Sequence, residues 1–322
     1  MNKILSVILF LIFNSSLLTS ALPAQELSLD TVITGIYVTS IHGVDFKEKE
    51  FIVNFWLWLK YKNKEFDFLQ NLEVPQAKTV VQSFSTIDSS DNRIYILMKL
   101  QCVMKDSWRI ENFPFDHQKL RISIENSQFD SHTMVFVADT VGKHYDPQFT
   151  LNGWSIDSFD ISVGTKSYET TFGDVSIDKP HSEYSAFNVR IGIQRAAMGL
   201  FWKMFLGMYV AFLIAYACFY IHADSIDSRF NLSVGAVFAV VGNKYIIDAA
   251  LPESVTFTLV DTLHCITLLF ILVIIASNAY ALKLIKKNKI NEAIRFDKVA
   301  ARVILLIYFF LNVYFIFQAN AG

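Results

Sequence analysis

Two groups of residues in this 322-residue chain have types and spacing that could do chemistry. The first lies in the apolar segment from Phe230 to Leu251, which also carries Asn231, Asn243, Lys244 and Asp248. Such a segment is costly to surround with lipid on every side, so it must be shielded by other helices or line water. On a helix turning about 100° per residue, Asn231, Gly235, Phe238, Gly242, Tyr245, Ile246 and Ala249 share one stripe, and Asp227 and Asp224 fall near its start. Lys244 falls on roughly the opposite side. A helix face that begins with acids and carries aromatic rings can draw in cations and narrow their path. The same residues can also cap a helix end and pack a bundle core, and spacing alone allows both. The second group is the run Phe113-Pro114-Phe115-Asp116. Pro114 fixes a turn, and the flanking rings can dip into a lipid boundary.

Other chemistry is poorly supported. The chain has no His-Glu-x-x-His zinc motif, no Gly-x-Ser-x-Gly nucleophile turn and no Gly-x-x-x-x-Gly-Lys phosphate loop, which argues against an enzyme. The seven histidines are scattered, although His42, His117 and His222 lie near the expected membrane boundary and are candidates for pH sensitivity. Three widely spaced cysteines, Cys102, Cys218 and Cys265, suit neither a disulfide scaffold nor a metal site. A net charge of -2 provides no basic field for nucleic acid. No cofactor or metal is expected.

The elements that must position these residues follow from the distribution of hydrophobicity. The chain is 53% hydrophobic and 18% charged, against about 25% charged residues in soluble domains, so it is too apolar for a soluble globule alone. Lys3, the apolar run Ile4–Phe13 and the small residues Ala21 and Ala24 read as an export signal over residues 1–24. No charge occurs between Lys203 and Asp224, between Asp261 and Lys283, or after Arg302. With the polar segment, these gaps predict four spans, at about 200–221, 229–250, 257–282 and 300–319, within a membrane domain covering 197–322. An exported N-terminus places Lys283, Lys286, Lys287, Lys289, Arg295 and Lys298 on the cytoplasmic side, as the positive-inside rule requires. The product would be a multi-pass plasma membrane protein with its N-terminal domain extracellular or periplasmic.

From about Ser28 to Arg195, within an exported domain expected over 25–196, the period changes to two. Phe51, Val53, Phe55, Leu57 and Leu59 alternate with more polar neighbours, as do Leu120, Ile122 and Ile124. Short strands without intervening helical patterns predict an antiparallel, immunoglobulin-like sandwich of roughly ten strands. The last strand, Phe187–Gln194, runs into the first span without a flexible linker, so the two domains are mechanically joined.

This layout and several motifs resemble the pentameric ligand-gated (Cys-loop) ion channels. Trp108-Arg109-Ile110-Glu111-Asn112-Phe113-Pro114-Phe115-Asp116-His117-Gln118 resembles that family's loop, with further matches at Thr34–Tyr37, Gly153–Phe159 and Val189–Arg195. Asp106 and Leu120 stand where animal receptors carry the loop cysteines, so the resemblance is to the prokaryotic branch. It implies a ring-shaped homopentamer in membrane lipid, with Asp227 and Asn231 as polar rings at the cytoplasmic mouth, Phe238 and Tyr245 as constrictions, and monovalent cations passing through. It also implies that Asp116 pairs with Arg195 to couple sandwich to gate, where the turn chemistry alone allows a solvated Asp116. A small amine-like agonist, or protons, would act between neighbouring sandwiches. Trp56 would lie on one face, and Glu125 and Tyr184 on the other with Phe129, Tyr168 and Phe172 nearby. Ser127 replaces an aromatic expected there, and Gly207 replaces a first-span proline, four residues after Lys203. Two functions therefore stand open: a ligand- or proton-gated cation channel, and a nonconducting membrane-tethered receptor of the same fold.

Overall fold

The computed structural model describes residues 29–90, 92–149, 151–173, 180–222, 224–252 and 254–321. The expected export signal lies outside them.

Among the described residues, nine strands form a sandwich. β1 (Asp30–Asp45), β2 (Glu50–Tyr61), β4 (Ala77–Ser90), β5 (Arg93–Lys105) and β7 (Met134–Ala138) make a five-stranded sheet in the order β4-β5-β2-β1-β7, and β1 and β7 run parallel. β3 (Leu72–Glu73), β6 (His117–Asn126), β8 (Trp154–Tyr168) and β9 (Ser182–Arg195) make the second, in the order β3-β6-β9-β8. The period-two pattern fixes the facing: Phe51, Val53, Phe55, Leu57 and Leu59 of β2 are fully buried, and they meet Leu120, Ile122, Ile124, Val189 and Ile191 in one core.

β9 ends at Arg195 and α1 begins at Ala197, so no linker separates sandwich from bundle. α1 (Ala197–Tyr216) continues through a 3-10 turn to Tyr220, followed by α2 (Ile226–Asp248), α3 (Leu259–Lys286) and α4 (Ile290–Ala321). All four are long and apolar enough to cross a membrane, which makes this a multi-pass membrane protein. A capping box between Thr258 and Asp261 starts α3. The fourth helix begins at Ile290, ahead of the segment 300–319 expected to span the membrane. Its first turns are amphipathic and bury Ala293, Asp297 and Ala301, so Arg295 and Lys298 lie on the helix rather than in a loop.

Candidate functional site

The loop between β5 and β6 belongs physically to the helical bundle. Ile110, Phe113 and Phe115 are buried in the cluster built by Phe201, Phe205, Val260 and Leu263, apart from the sandwich core. Phe115 meets Phe201 of α1 at 5.6 Å between ring centroids, and the Glu111 carbonyl accepts from the Leu259 backbone N–H at the start of α3 (2.8 Å). Phe113 and Phe115 are only 6% and 7% exposed, so these rings are covered by the chain itself instead of dipping into lipid.

Asp116, at the end of this turn, pairs with Arg195. The Arg195 guanidinium also packs against the Trp154, Phe113 and Phe46 rings, at 4.0, 4.9 and 4.7 Å. Trp154 and Phe46 escaped sequence reasoning as members of this joint. The Gly153-Trp154 motif was the available signal, whereas Phe46 sits in a turn with no pattern to mark it. At the base of the loop, where the resemblance places cysteines, Asp106 takes a bidentate ion pair from Arg121. That hydrogen bond holds the guanidinium proton above its ordinary range. His117, exposed like His42 and His222, stands 3.6 Å from Asp157.

A second arrangement lies on the four-stranded sheet. Tyr168, Phe172 and Tyr184 form a triangle with centroids 5.4, 5.9 and 6.2 Å apart, each pair edge to face. Phe172 reaches it from a left-handed backbone (φ 52°), an unusual conformation for a bulky residue. Tyr168 donates to Glu125 Oε2 at 2.8 Å, and Glu125 is 3% exposed. Burial pushes the Glu125 carboxyl above its usual range, against the pull of the Tyr168 and Ser123 hydroxyls. Burial and this hydrogen bond also raise the Tyr168 phenol, so the proton stays on the tyrosine. Lys166 lies over the Tyr168 ring at 5.8 Å.

One expected member lies elsewhere. Phe129 packs on Phe66 at 4.7 Å against the sandwich core, because the Asn126 side chain turns the chain inward by accepting from the Gln128 and Phe129 N–H groups. Trp56 is on the five-stranded sheet, edge to face with Phe84 and 5.6 Å from the Lys99 ammonium.

The third arrangement is the outer face of α2. Packing against the other helices buries Arg229, Ser233, Ala236, Val240 and Ile247. Asp224, Asp227, Asn231, Gly235, Phe238, Gly242, Tyr245, Ile246 and Ala249 all remain exposed, with Phe238, Tyr245 and Ile246 at 72%, 76% and 70%. Side chains added at Gly235 or Gly242 would meet nothing within 4 Å. Lys244 turns the other way and joins Asp248 and the α3 cap residue Asp261, each at 2.7 Å. At the opposite end, Arg229 is nearly sealed from solvent. It pairs with Asp297 of α4 (2.7 Å), donates to Asn278 of α3 (3.2 Å) and to the Ile221 carbonyl, and thereby sets the rotation of α2. Nothing local in the sequence distinguishes a buried arginine such as Arg229 from a solvent-facing one.

Comparison with known proteins adds one similarity. No family model matches the chain. Over 246 residues, 70% of this chain, it is 22% identical to a proton-gated ion channel of Gloeobacter violaceus. The chain spans 65% of the length of that curated relative, and its β-sandwich followed by four apolar helices has the layout of the pentameric channels.

Proposed function

We propose that five copies of this chain surround a cation-conducting pore lined by α2, gated by protons or a small cationic ligand at the extracellular sandwich. The observation that carries this reading is the uncovered face of α2. A helix buried on one side against α1 and α3, and tied to α4 through Arg229, keeps a stripe from Asp224 to Ala249 outside the packing, with two acids at one end. In a ring of five, that stripe faces the axis, where acids favour cations and apolar rings can gate by excluding water. Protons or an amine would act at Glu125 within the Tyr168–Phe172–Tyr184 triangle. Trp56, Phe84 and Lys99 of a neighbouring copy would complete the boundary. The Asp116–Arg195 joint would carry the change to α1, and the Glu111 contact to α3. The similarity to a proton-gated channel supports the same reading.

The exposed Phe238 ring favours a second reading, because five such rings would close a narrow pore: a membrane-tethered receptor that does not conduct. Planar-bilayer recording of the purified protein across pH and a panel of amines separates the two. Currents that reverse toward the cation potential are expected. Silence under every condition, from a pentamer intact by native mass, would favour the receptor, and a monomer would remove both.

A further inference from the structure

His264 is buried in the second turn of α3, and both of its ring nitrogens face oxygen acceptors. Nδ1 stands 2.8 Å from the Val260 carbonyl, and Nε2 stands 3.0 Å from Asn243 Oδ1 of α2. The orientation of that amide is set from elsewhere, because Asn243 Nδ2 donates to the Met204 carbonyl of α1 at 3.0 Å. Turning the amide over would set its oxygen against that carbonyl. A neutral imidazole has one N–H and one lone pair, so either tautomer leaves one nitrogen opposed to an acceptor with no proton between them. The imidazolium has two N–H groups. It alone satisfies Val260 and Asn243 together while the amide still donates to Met204.

The surroundings are built for this contact. Gly207 of α1 leaves room for the amide, since a Cβ there would stand 3.3 Å from Asn243 Nδ2, a spacing tighter than most side chains tolerate. The charged groups nearby are Lys244 and Asp248 of α2 and Asp261 of α3, which are paired with one another, so the two facing acceptors rather than a net charge would hold the second proton. α1 contributes the Phe205 ring at 5.7 Å, and α4 contributes Tyr308, held on Thr267 one turn further along α3.

We propose that His264 is a proton-binding site inside the helical bundle, whose charged form clamps α2 to α1 and α3 through Asn243. Its effect on current rests on the channel reading above; proton binding itself does not.

The test uses the full chain in nanodiscs with 15N-labelled histidine, followed by NMR from about pH 9 to about pH 4. The signal lost in His264→Gln identifies the residue, and this signal is expected to pass from one to two protonated nitrogens within that range. Asn243→Asp sets a carboxylate opposite Nε2 and should raise the midpoint by about one pH unit, a tenfold gain in proton affinity. Asn243→Leu should lower it. Should His264→Gln fail to fold, the one histidine signal shifted by Asn243→Asp identifies the site. A midpoint unmoved in Asn243→Asp, or a ring still neutral at the acid end, overturns the proposal. Absence of current with the NMR shift intact removes the channel reading and leaves the proton site standing. Currents whose pH dependence ignores a shifted midpoint overturn the clamp.

Discussion

Arg195 Nε lies 2.7 Å from Asp116 Oδ1, and Nη2 lies 3.4 Å from Oδ2, joining the last residue of the sandwich to the turn that enters the bundle. Both side chains are largely out of solvent, 12% and 2% exposed, and Gln118 adds a 2.7 Å hydrogen bond to Asp116 Oδ2. The pair sits where Phe113 and Phe115 already belong to the helical cluster.

Removing one member of such a pair leaves the other buried and uncompensated. Asp116→Ala is expected to destabilise the reconstituted protein by about 3–5 kcal/mol, read from thermal unfolding. Arg195→Lys should recover little, because an ammonium has neither the two-pronged geometry nor the planar face that meets Trp154. Unaltered melting in Asp116→Ala would remove the coupling role.

Glu125 gives the sandwich a pH dependence with a definite sign. Its carboxyl is raised above the reference value of 4.5, so the stability tied to it is present below that value and is lost as pH rises through the higher folded-state value. Melting temperature should therefore fall with rising pH across that window, and Glu125→Gln should flatten the slope. Tyr168→Phe removes a hydroxyl that favours the charged form, and should extend the window to higher pH. The readout is melting of wild type and both variants across a pH series; equal slopes in wild type and Glu125→Gln would reassign the effect.

In the proposed pore, Asp227 at the first turn of α2 would supply charge and Phe238, three turns on, would supply bulk. Asp227→Ala should relax the reversal potential in a salt gradient toward zero, and Phe238→Ala should raise conductance without changing ion preference. Anion selectivity in the unmodified protein would contradict the proposed acidic mouth.

How far the sequence reaches differs between these parts. Period-two alternation in β2 and β6 reports burial directly, and the charge gaps report span length, so the sandwich and four helices are legible from residue order. The α2 stripe is legible for the same reason, since helical phase is set by the backbone and only one face can be covered. Phe129 is not legible: its inward turn depends on Asn126 capping two backbone N–H groups, a local choice that residue type leaves open. Arg229 and His264 are hidden for a longer-range reason. Their partners Asp297 and Asn243 lie 68 and 21 residues away, on helices whose relative rotation only the packed bundle determines.

Gly35 tests the sandwich apart from the membrane domain. It faces Trp58 across the β1–β2 pair, and a Cβ at Gly35 would fall within the volume of the indole ring. The ring lies over the glycine backbone and its Nε1 donates to Asp139 Oδ2 at 3.0 Å, while the Asp139 backbone N–H donates to the Thr34 carbonyl. That indole bond and Lys60 hold the Asp139 carboxyl below its usual range. Gly35→Ala must push Trp58 aside and release Asp139, so overpacking and the lost bond act together, at about 1–3 kcal/mol. Trp58→Ala loses the bond as well but removes the clash. The double variant Gly35→Ala/Trp58→Ala should therefore be no less stable than Trp58→Ala alone. Unfolding followed by tryptophan fluorescence reads all three, and additive losses in the double variant would show that the ring does not rest on Gly35.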